Sequence, residues 1–446
     1  MNKDEIDSPS PGLFTHKFLK RLLVLTFLLL ILGCGSTMIV AESSPYLATQ
    51  IADQIRDAFG PRVVAGLETV VFRLQDALNN WSYRINQVPA EPPWVDSTSL
   101  QETASSLAID VPKASLTPEP LKITSTPIEV RTTPIVKDQP LTSEEVLSTE
   151  MNPSTPTTKV EPWLLPTLQP FGILEGEGIW QPYLHDLEGE VVAYRTFLQP
   201  DPDRPYTIVA VVAFDLNHTR LHFVLGFNEP SVPDGPRGDG LIPEVDRQQG
   251  NLLAAFNGGF RAANGHFGAM ADGTVALEPK DDFATVAIYE NGEVRIGEWG
   301  REIMDSPDMR SWRQNCRLII HNGEISPRVY NNSITDWGAS INNQIVTRRS
   351  GLGLDRNAET LFYFAGPSLS MPVLADSMLA VGVHNGMLLD INHFWVHFTA
   401  IRMVEGAFIA EPLLPDEMID RIDRYLNPSP VDFFYVTSVK PLNTEP

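Results

Sequence analysis

The apolar positions of this chain fall into four regimes, and each predicts a different kind of element. Residues 22–41, LLVLTFLLLILGCGSTMIVA, are almost wholly apolar. A run of about 20 such residues matches a bilayer core when wound as one helix. Residues 46–87 carry apolar side chains at three- and four-residue steps: Ile51, Ile55 and Phe59, then Val63, Leu67, Val71, Leu74 and Leu78. That period predicts helix, and Gly60-Pro61 divides it in two. From Pro89 to Pro170 the periodicity vanishes, and Thr, Ser, Pro and Glu dominate, as in LTPEPLKITSTPIEVRTTPIV. Such sequence buries too little apolar surface to offset its ordering entropy, and proline keeps it extended. It reads as a disordered spacer. After Phe171, short apolar runs return, bounded by Gly, Pro, Asn and Asp.

Those runs predict strands. Tyr206–Asp215 and Leu221–Gly226 read as a pair joined by a turn over Leu216–Arg220. Leu252–Phe256 is another strand. Ala284–Tyr289 and Glu293–Ile296 flank Asn291-Gly292, a type I′ hairpin signal; Arg317–His321 and Glu324–Ile325 repeat it around Asn322-Gly323. Leu361–Phe364, Met387–Ile391, Phe394–Phe398 and Phe433–Val439 complete the set. Ser370 is placed to cap a helix with Pro372 in its first turn, running to about Val381, and Pro415–Leu426 reads as a late helix. Strands outnumber helices. The expected class is α+β, a mixed, largely antiparallel sheet with flanking helices, preceded by a transmembrane helix and a disordered linker. The expected divisions are a cytoplasmic tail (1–21), a transmembrane signal anchor (22–41), a helical juxtamembrane stalk (42–88), a Pro/Ser/Thr-rich linker (89–170) and a folded domain (171–446).

Charge narrows the partners. The 446 residues carry a net charge of −23, so the chain lacks the basic footprint that nucleic acid requires. Anionic lipid would repel it, which leaves the apolar segment as the membrane attachment. Lys17, Lys20 and Arg21 precede that segment and Glu42 follows it. The positive-inside bias then puts the N-terminus in the cytoplasm and the C-terminal domain outside, as a single-pass membrane protein. Cleavage near Val40-Ala41 and lipidation at Cys34 are the alternatives to an uncleaved anchor. Leu32 is bulky for a lipidation site, and the apolar run continues past Cys34. The two cysteines, Cys34 and Cys316, make an improbable disulfide because the first lies in the apolar run.

Two segments, 251–274 and 349–390, place small or polar residues directly after apolar runs, where side chains face a cleft. They contain Phe256-Asn257-Gly258-Gly259-Phe260, Asp272-Gly273, Arg349-Ser350-Gly351-Leu352-Gly353-Leu354-Asp355, the helix-like Leu374-Ala375-Asp376-Ser377-Met378, and Leu389-Asp390. In this series the chain resembles the phosphodiester glycosidase domain family, which includes the uncovering enzyme N-acetylglucosamine-1-phosphodiester alpha-N-acetylglucosaminidase. The resemblance covers about residues 172–400. Two positions depart from it. The family's closing Gly-Gly is Ile391-Asn392 here, and Arg261 replaces a residue that is often aromatic. If Met387–Asn392 is a strand, Asp390 and Asn392 share one face while Leu389 and Ile391 point into the core.

The resemblance implies a membrane-anchored extracytoplasmic hydrolase that cleaves sugar 1-phosphodiesters of envelope glycans or related glycoconjugates. The departing phosphomonoester is a weak base and needs little protonation. Such chemistry calls for a cation near the phosphate and a carboxylate near the anomeric carbon. On this reading Asp390 is nucleophile or base, Arg349 clamps the phosphate, and Asp272 is a further catalytic carboxylate. Asn257, Gly258 and Gly259 position the anion through backbone N–H groups, and Arg261, Arg348 and Asn392 line the substrate. Each has an ordinary structural counterpart: a tight turn at Asn257-Gly258-Gly259, a strand-end carboxylate at Asp390, a surface or structural ion pair at Arg349, and turn residues at Asp272 and Asp355. His384, His393 and His397 raise a metal reading beside Asp390. A strand over Phe394–Phe398 points the last two histidines away, so no metal and no cofactor are expected. The alternative function is an inactive surface module of the same fold that binds glycan, with Phe260, Phe267, Phe394 and Trp395 as stacking surfaces.

Overall fold

In a computed structural model the described residues are 55, 61–87, 90–94, 163–248, 251–331, 336–337 and 345–439. The apolar run 22–41, its flanks and most of the spacer lie outside them. Among the described residues no helix is long and apolar enough to cross a membrane. The chain divides into two units, one made of 1–109 with 165–446 and one of 110–164. Of the second, only Trp163 and Leu164 are described, and Leu164 is exposed.

Eighteen strands among the described residues form three sheets. The first runs, in spatial order, β1 (Gln181–His185), β2 (Val191–Leu198), β3 (Val209–Asp215), β14 (Thr360–Leu369), β13 (Thr347–Leu354), β15 (Asn385–Leu388), β11 (Leu318–His321), β12 (Glu324–Ile325). The second runs β17 (Ala407–Pro412), β16 (Phe398–Val404), β5 (Leu252–Asn257), β18 (Phe433–Ser438), β4 (Thr219–Val224). The third runs β7 (Thr274–Leu277), β6 (Ala269–Ala271), β10 (Met309–Gln314), β8 (Ala284–Tyr289), β9 (Val294–Glu298). Every ladder among the described residues is antiparallel, so the largely antiparallel expectation holds, while the single mixed sheet gives way to three antiparallel ones. Among the described residues the α-helices are α1 (Pro61–Asn86), α2 (Glu244–Gln248) and α3 (Met371–Ala380). Pro61 opens α1, where its missing N–H is harmless.

Aromatic packing joins the first two sheets. Phe256 on β5 stands between Phe214 and Tyr363 of the first sheet and Phe398 and Phe434 of its own, with ring centroids 4.8–6.4 Å away. This explains why β5 reads LLAAFN without alternation: all six of its residues are buried. α3 packs against the first sheet. Its Ser370 cap accepts from Val373 N as expected, and Met378 lies so close to β13 that a Cβ on Gly351 would sit 2.3 Å from its Cε. A Cβ on Gly353 would meet Val383 at 2.7 Å. The glycines of Arg349–Leu354 therefore let this layer approach the strand.

Several expected elements are redrawn. β3 and β4 are not a pair. Both edges of β3 are taken, by β2 and β14, and Asp215 turns the chain into the second sheet: Asn217 N donates to its Oδ1 (2.9 Å) and Thr219 Oγ1 to its carbonyl (2.7 Å). Of Asn291 and Gly292 only the glycine has positive φ, and Gly292 N donates to Tyr289 O (2.9 Å), so this hairpin is a type I turn closed by a left-handed glycine. Asn322-Gly323 does have both residues at positive φ, at 55° and 81°. Phe394–Phe398 is a turn rather than a strand: Trp395 N and Val396 N both donate to Asn392 O, and β16 begins only at Phe398. Pro415–Leu426 is no helix either, apart from a 3-10 turn at Arg424–Leu426. The carbonyls a helix would use are bonded elsewhere, Glu417 O to Arg348, Met418 O to His397 and Ile422 O to Thr399.

The linker boundary also moves. Trp94 is buried, donates from Nε1 to Leu413 O (2.7 Å), meets Phe197 edge-on, and lies under the Arg195 guanidinium at 4.3 Å. Leu168 is buried too. α1 is tied to the same body by a two-pronged pair from Arg204 to Asp76, both contacts 2.7 Å. Trp94→Ala should therefore destabilise the domain by about 3 kcal/mol, as a core truncation does, whereas a linker position would leave it unchanged. Urea denaturation followed by tryptophan-independent circular dichroism measures this.

Candidate functional site

Asn257 ends β5 and is the polar hub of the interior. Its Nδ2 donates to Ser350 Oγ (2.9 Å) and Gly258 O (3.0 Å), and its Oδ1 accepts from Tyr363 OH (2.9 Å) and His397 N (3.3 Å). Ser350 Oγ in turn donates to Asp390 O (2.9 Å). One side chain thus ties β5, β13, β14 and the segment after Asp390, and reaches Asp390 O through Ser350. A buried amide with all its bonds made specifies a unique arrangement; one left unpaired would cost about 1–3 kcal/mol.

Gly258 and Gly259 follow, and neither has positive φ. Their reason is crowding. A Cβ on Gly258 would lie 2.5 Å from Asp432 Oδ2, and one on Gly259 would lie 2.9 Å from Arg313 Cζ. Arg313 and Asp432 form a fully buried ion pair, Nε to Oδ2 at 2.6 Å. Arg313 also donates from Nη1 to the carbonyls of Phe267 and Gln314 (2.9 Å each) and from Nη2 to Phe260 O. The backbone N–H groups expected to hold a phosphate are already engaged: Asn257 N with His397 O, Gly258 N with Asp432 O and Gly259 N with Asp432 Oδ2. The Asn-Gly-Gly segment is a scaffold for the ion pair in this structure.

Asp390 lies just past β15, in a turn. The strand ends at Leu388, and Asp390 Oδ1 accepts from Ile391 N (2.7 Å) and Asn392 N (2.8 Å). Asn392 therefore does not share a face with Asp390; it is exposed and caps the next turn through Phe394 N, while Ile391 is half-buried instead of core. Asn315 Nδ2 grips the approach by donating to Leu388 O and Leu389 O (2.9 Å each). Asp390 Oδ2 makes no hydrogen bond to a described residue, and 8% of the residue's surface stays accessible. Burial pushes the carboxyl up to about 7, outweighing the two N–H groups that pull it down; Asp432 adds repulsion and Arg313 attraction.

The remaining candidates are dispersed. Arg349 is buried and bonded to Leu369 O (2.8 Å) and Ile345 O (2.9 Å); among the described residues its Nη1 has no hydrogen-bond partner and it pairs with no carboxylate. It shares the β13 face of Gly351, toward α3, and burial pushes its guanidinium down to about 10. Arg348, on the other face, pairs with Glu417 and donates to His393 O and Glu417 O. Arg261 pairs with Glu229 (3.3 Å). Asp272 is an exposed hairpin residue with positive φ, paired with Arg310 (2.6 Å). Asp355 holds its own turn through Glu359 N and Thr360 N. His397 is enclosed, its Nε2 against Met418 O (2.9 Å) and its Nδ1 against Thr399 Oγ1 (3.2 Å). Among the described residues no group of three or more His, Cys, Asp or Glu side chains is arranged to hold a metal. Of the sequence candidates, Asn257, Gly258, Gly259 and Asp390 gather around one network.

No protein-family model matches the chain, and no curated protein matches it in sequence. Among solved structures, the auto-inhibited catalytic domain of zebrafish N-acetylglucosamine-1-phosphodiester alpha-N-acetylglucosaminidase aligns at 13% identity and a TM-score of 0.37, over 57% of this chain and 86% of that one. A hypothetical protein from Synechocystis aligns at 11% identity and 0.37, over 58% of this chain and 64% of that one. An exported protein from Burkholderia pseudomallei aligns at 11% and 0.28, over 52% and 74%. Likeness at this level transfers no activity and no residue role to this chain.

Two outcomes follow from the geometry. Asp432→Asn should cost about 3–5 kcal/mol in chemical denaturation, because it strands a buried arginine. Asp390, with its folded pKa raised, keeps a proton between about pH 4 and pH 7 that the unfolded chain gives up. Its contribution is therefore lost as pH rises through about 7. Asp390→Asn should gain on the parent by a few kcal/mol between pH 4 and pH 8, read from melting temperatures across that range.

Proposed function

We propose that this chain is a hydrolase of a glycan-related substrate in which Asp390 moves the proton, with sugar 1-phosphodiesters the class implied by the motif resemblance. The supporting observation is the Asp390 carboxyl: one oxygen is held by two N–H groups and the other has no hydrogen bond among the described residues, while burial pushes the group up to about 7. A group poised near the working pH is the most effective acid or base. In its ionised form Asp390 takes a proton from the attacking water as the sugar–oxygen bond breaks, and the weakly basic phosphate leaves with little protonation. Arg313 and Asp432 set the field beneath it. Arg349 and the Asn257-Gly258-Gly259 backbone have no part in this reading, since their donors point elsewhere or are bonded internally.

The second reading is a glycan-binding module. Its support is the tight enclosure of Asp390 and the commitment of nearly every polar group around it to an internal partner. The membrane anchor at 22–41, with the folded part outside the cell, belongs to both readings and rests on the apolar run and its basic flank.

Hydrolysis of several sugar 1-phosphodiesters by the full chain separates them. Enzyme activity should rise as pH passes about 7, and Asp390→Asn should lower kcat by about 10²–10⁴-fold with the fold retained. Turnover undiminished in Asp390→Asn would remove the proton-transfer role. No turnover on any of these sugars would favour the binding module.

A further inference from the structure

A groove of about 730 Å³ lies away from this network, and none of the residues around Asp390 lines it. It runs along β4 at the edge of the second sheet, between the segment leading into α2 and the hairpin turns of the third sheet. Four arginines reach it: Arg220, Arg237, Arg247 and Arg310. Arg310 is neutralised by Asp272. The other three pair with no carboxylate among the described residues, in a chain that carries 56 acidic residues against 33 basic ones. Arg220 is steadied by donating from Nη1 to Leu216 O (3.0 Å) and Thr219 O (2.9 Å), and Gly292 leaves it room: a Cβ there would lie 2.3 Å from Arg220 Nε. Arg247 Nε is buried and has no hydrogen-bond partner among the described residues. A buried guanidinium N–H without an acceptor costs free energy that a bound oxyanion would recover.

The rest of the lining is mixed. His222 stacks on Tyr435 at 4.4 Å with planes 8° apart, and Tyr435 OH is fixed by Asp246 Oδ2 (2.7 Å). Glu244 and Glu290 are exposed along the groove. Carboxylate acceptors and arginine donors interleaved around a partly apolar floor suit a polyhydroxylated ring better than a bare ion or a lipid tail. The volume matches a ligand of one or two hexose units, within the range of about 300–1,000 Å³ usual for small-molecule sites.

We propose that this groove binds an anionic sugar, its phosphate or carboxylate neutralised by Arg220, Arg237 and Arg247. The site is independent of the Asp390 chemistry, and its failure would leave that reading untouched. Titration calorimetry on the full chain, with glucose 1-phosphate and with glucuronate, tests it and tells the two anion types apart. Saturable binding of at least one is expected, weakened at least tenfold in Arg237→Gln combined with Arg247→Gln, weaker still for neutral glucose, and unchanged in Asp390→Asn. Because Arg237 is exposed, Arg237→Glu alone supplies a second variant that spares the fold, and it should weaken binding as well. The proposal is overturned if neither anionic sugar binds, if the arginine variants bind as the parent does, if glucose or inorganic phosphate binds as tightly as the anionic sugar, or if Asp390→Asn abolishes binding.

Discussion

The buried ion pair between Arg313 and Asp432 is the interaction on which the rest of the interior is arranged. Two charges out of water are tolerated only if their remaining hydrogen-bonding capacity is met. Here the backbone meets it: carbonyls of Phe260, Phe267 and Gln314 surround the guanidinium, and Gly259 N supports the carboxylate. Those partners come from the third sheet and from the segments beside β5 and β18, so the pair fastens the second sheet to the third. The chain passes so close that only glycine fits at 258 and 259. The raised pKa of Asp390 is linked to the same pair, because Asp432 and Arg313 act on it with opposite sign.

Asn257 sits where this polar layer meets the aromatic core. Phe256 fills the space between the first two sheets, and the next residue turns that packing into hydrogen bonds with Ser350, Tyr363 and His397. The apolar side of β5 supplies cohesion and its polar end supplies direction. Asp390 inherits a fixed position from both, through Ser350 and Asn315. The candidate base is thus held by backbone turns and buried amides, and no surface loop has to order before it is in place.

Local chemistry was legible in the sequence at several places where one residue type settles a conformation, though Asn291-Gly292 closes a type I turn instead of the expected type I′. The Ser370 cap with Pro372, the Asn322-Gly323 hairpin and the run at Leu252–Phe256 all form as their residues require. Long-range pairing was not legible. β3 and β4 look like neighbours because only a turn separates them, yet Asp215 sends them into different sheets. Pro415–Leu426 has the length of a helix, but its carbonyls serve Arg348, His397 and Thr399. At the site, Asn257 and Asp390 stood out as polar residues after apolar runs. Arg313 and Asp432 did not: one is a charge inside the strand sequence MRSWRQ, the other precedes the run FFYV, and neither pattern announces a partner 119 positions away. The glycines of the Asn-Gly-Gly segment were visible, but their purpose became clear only with the ion pair they adjoin.

The docking of Trp94 and Leu168 onto one body changes what the proline-rich stretch between them is. A tether has one end free to wander, and its contour length sets how far its cargo travels. This stretch leaves the domain at Trp94 and rejoins it near Leu168, so it is a closed excursion. Its length adds nothing to the distance between the domain and the chain before α1, because α1 and Trp94 are already fixed to the body. A cut anywhere within the excursion would leave both pieces held together by the packing of Trp94 and the Asp76–Arg204 pair, and the domain would keep its reach.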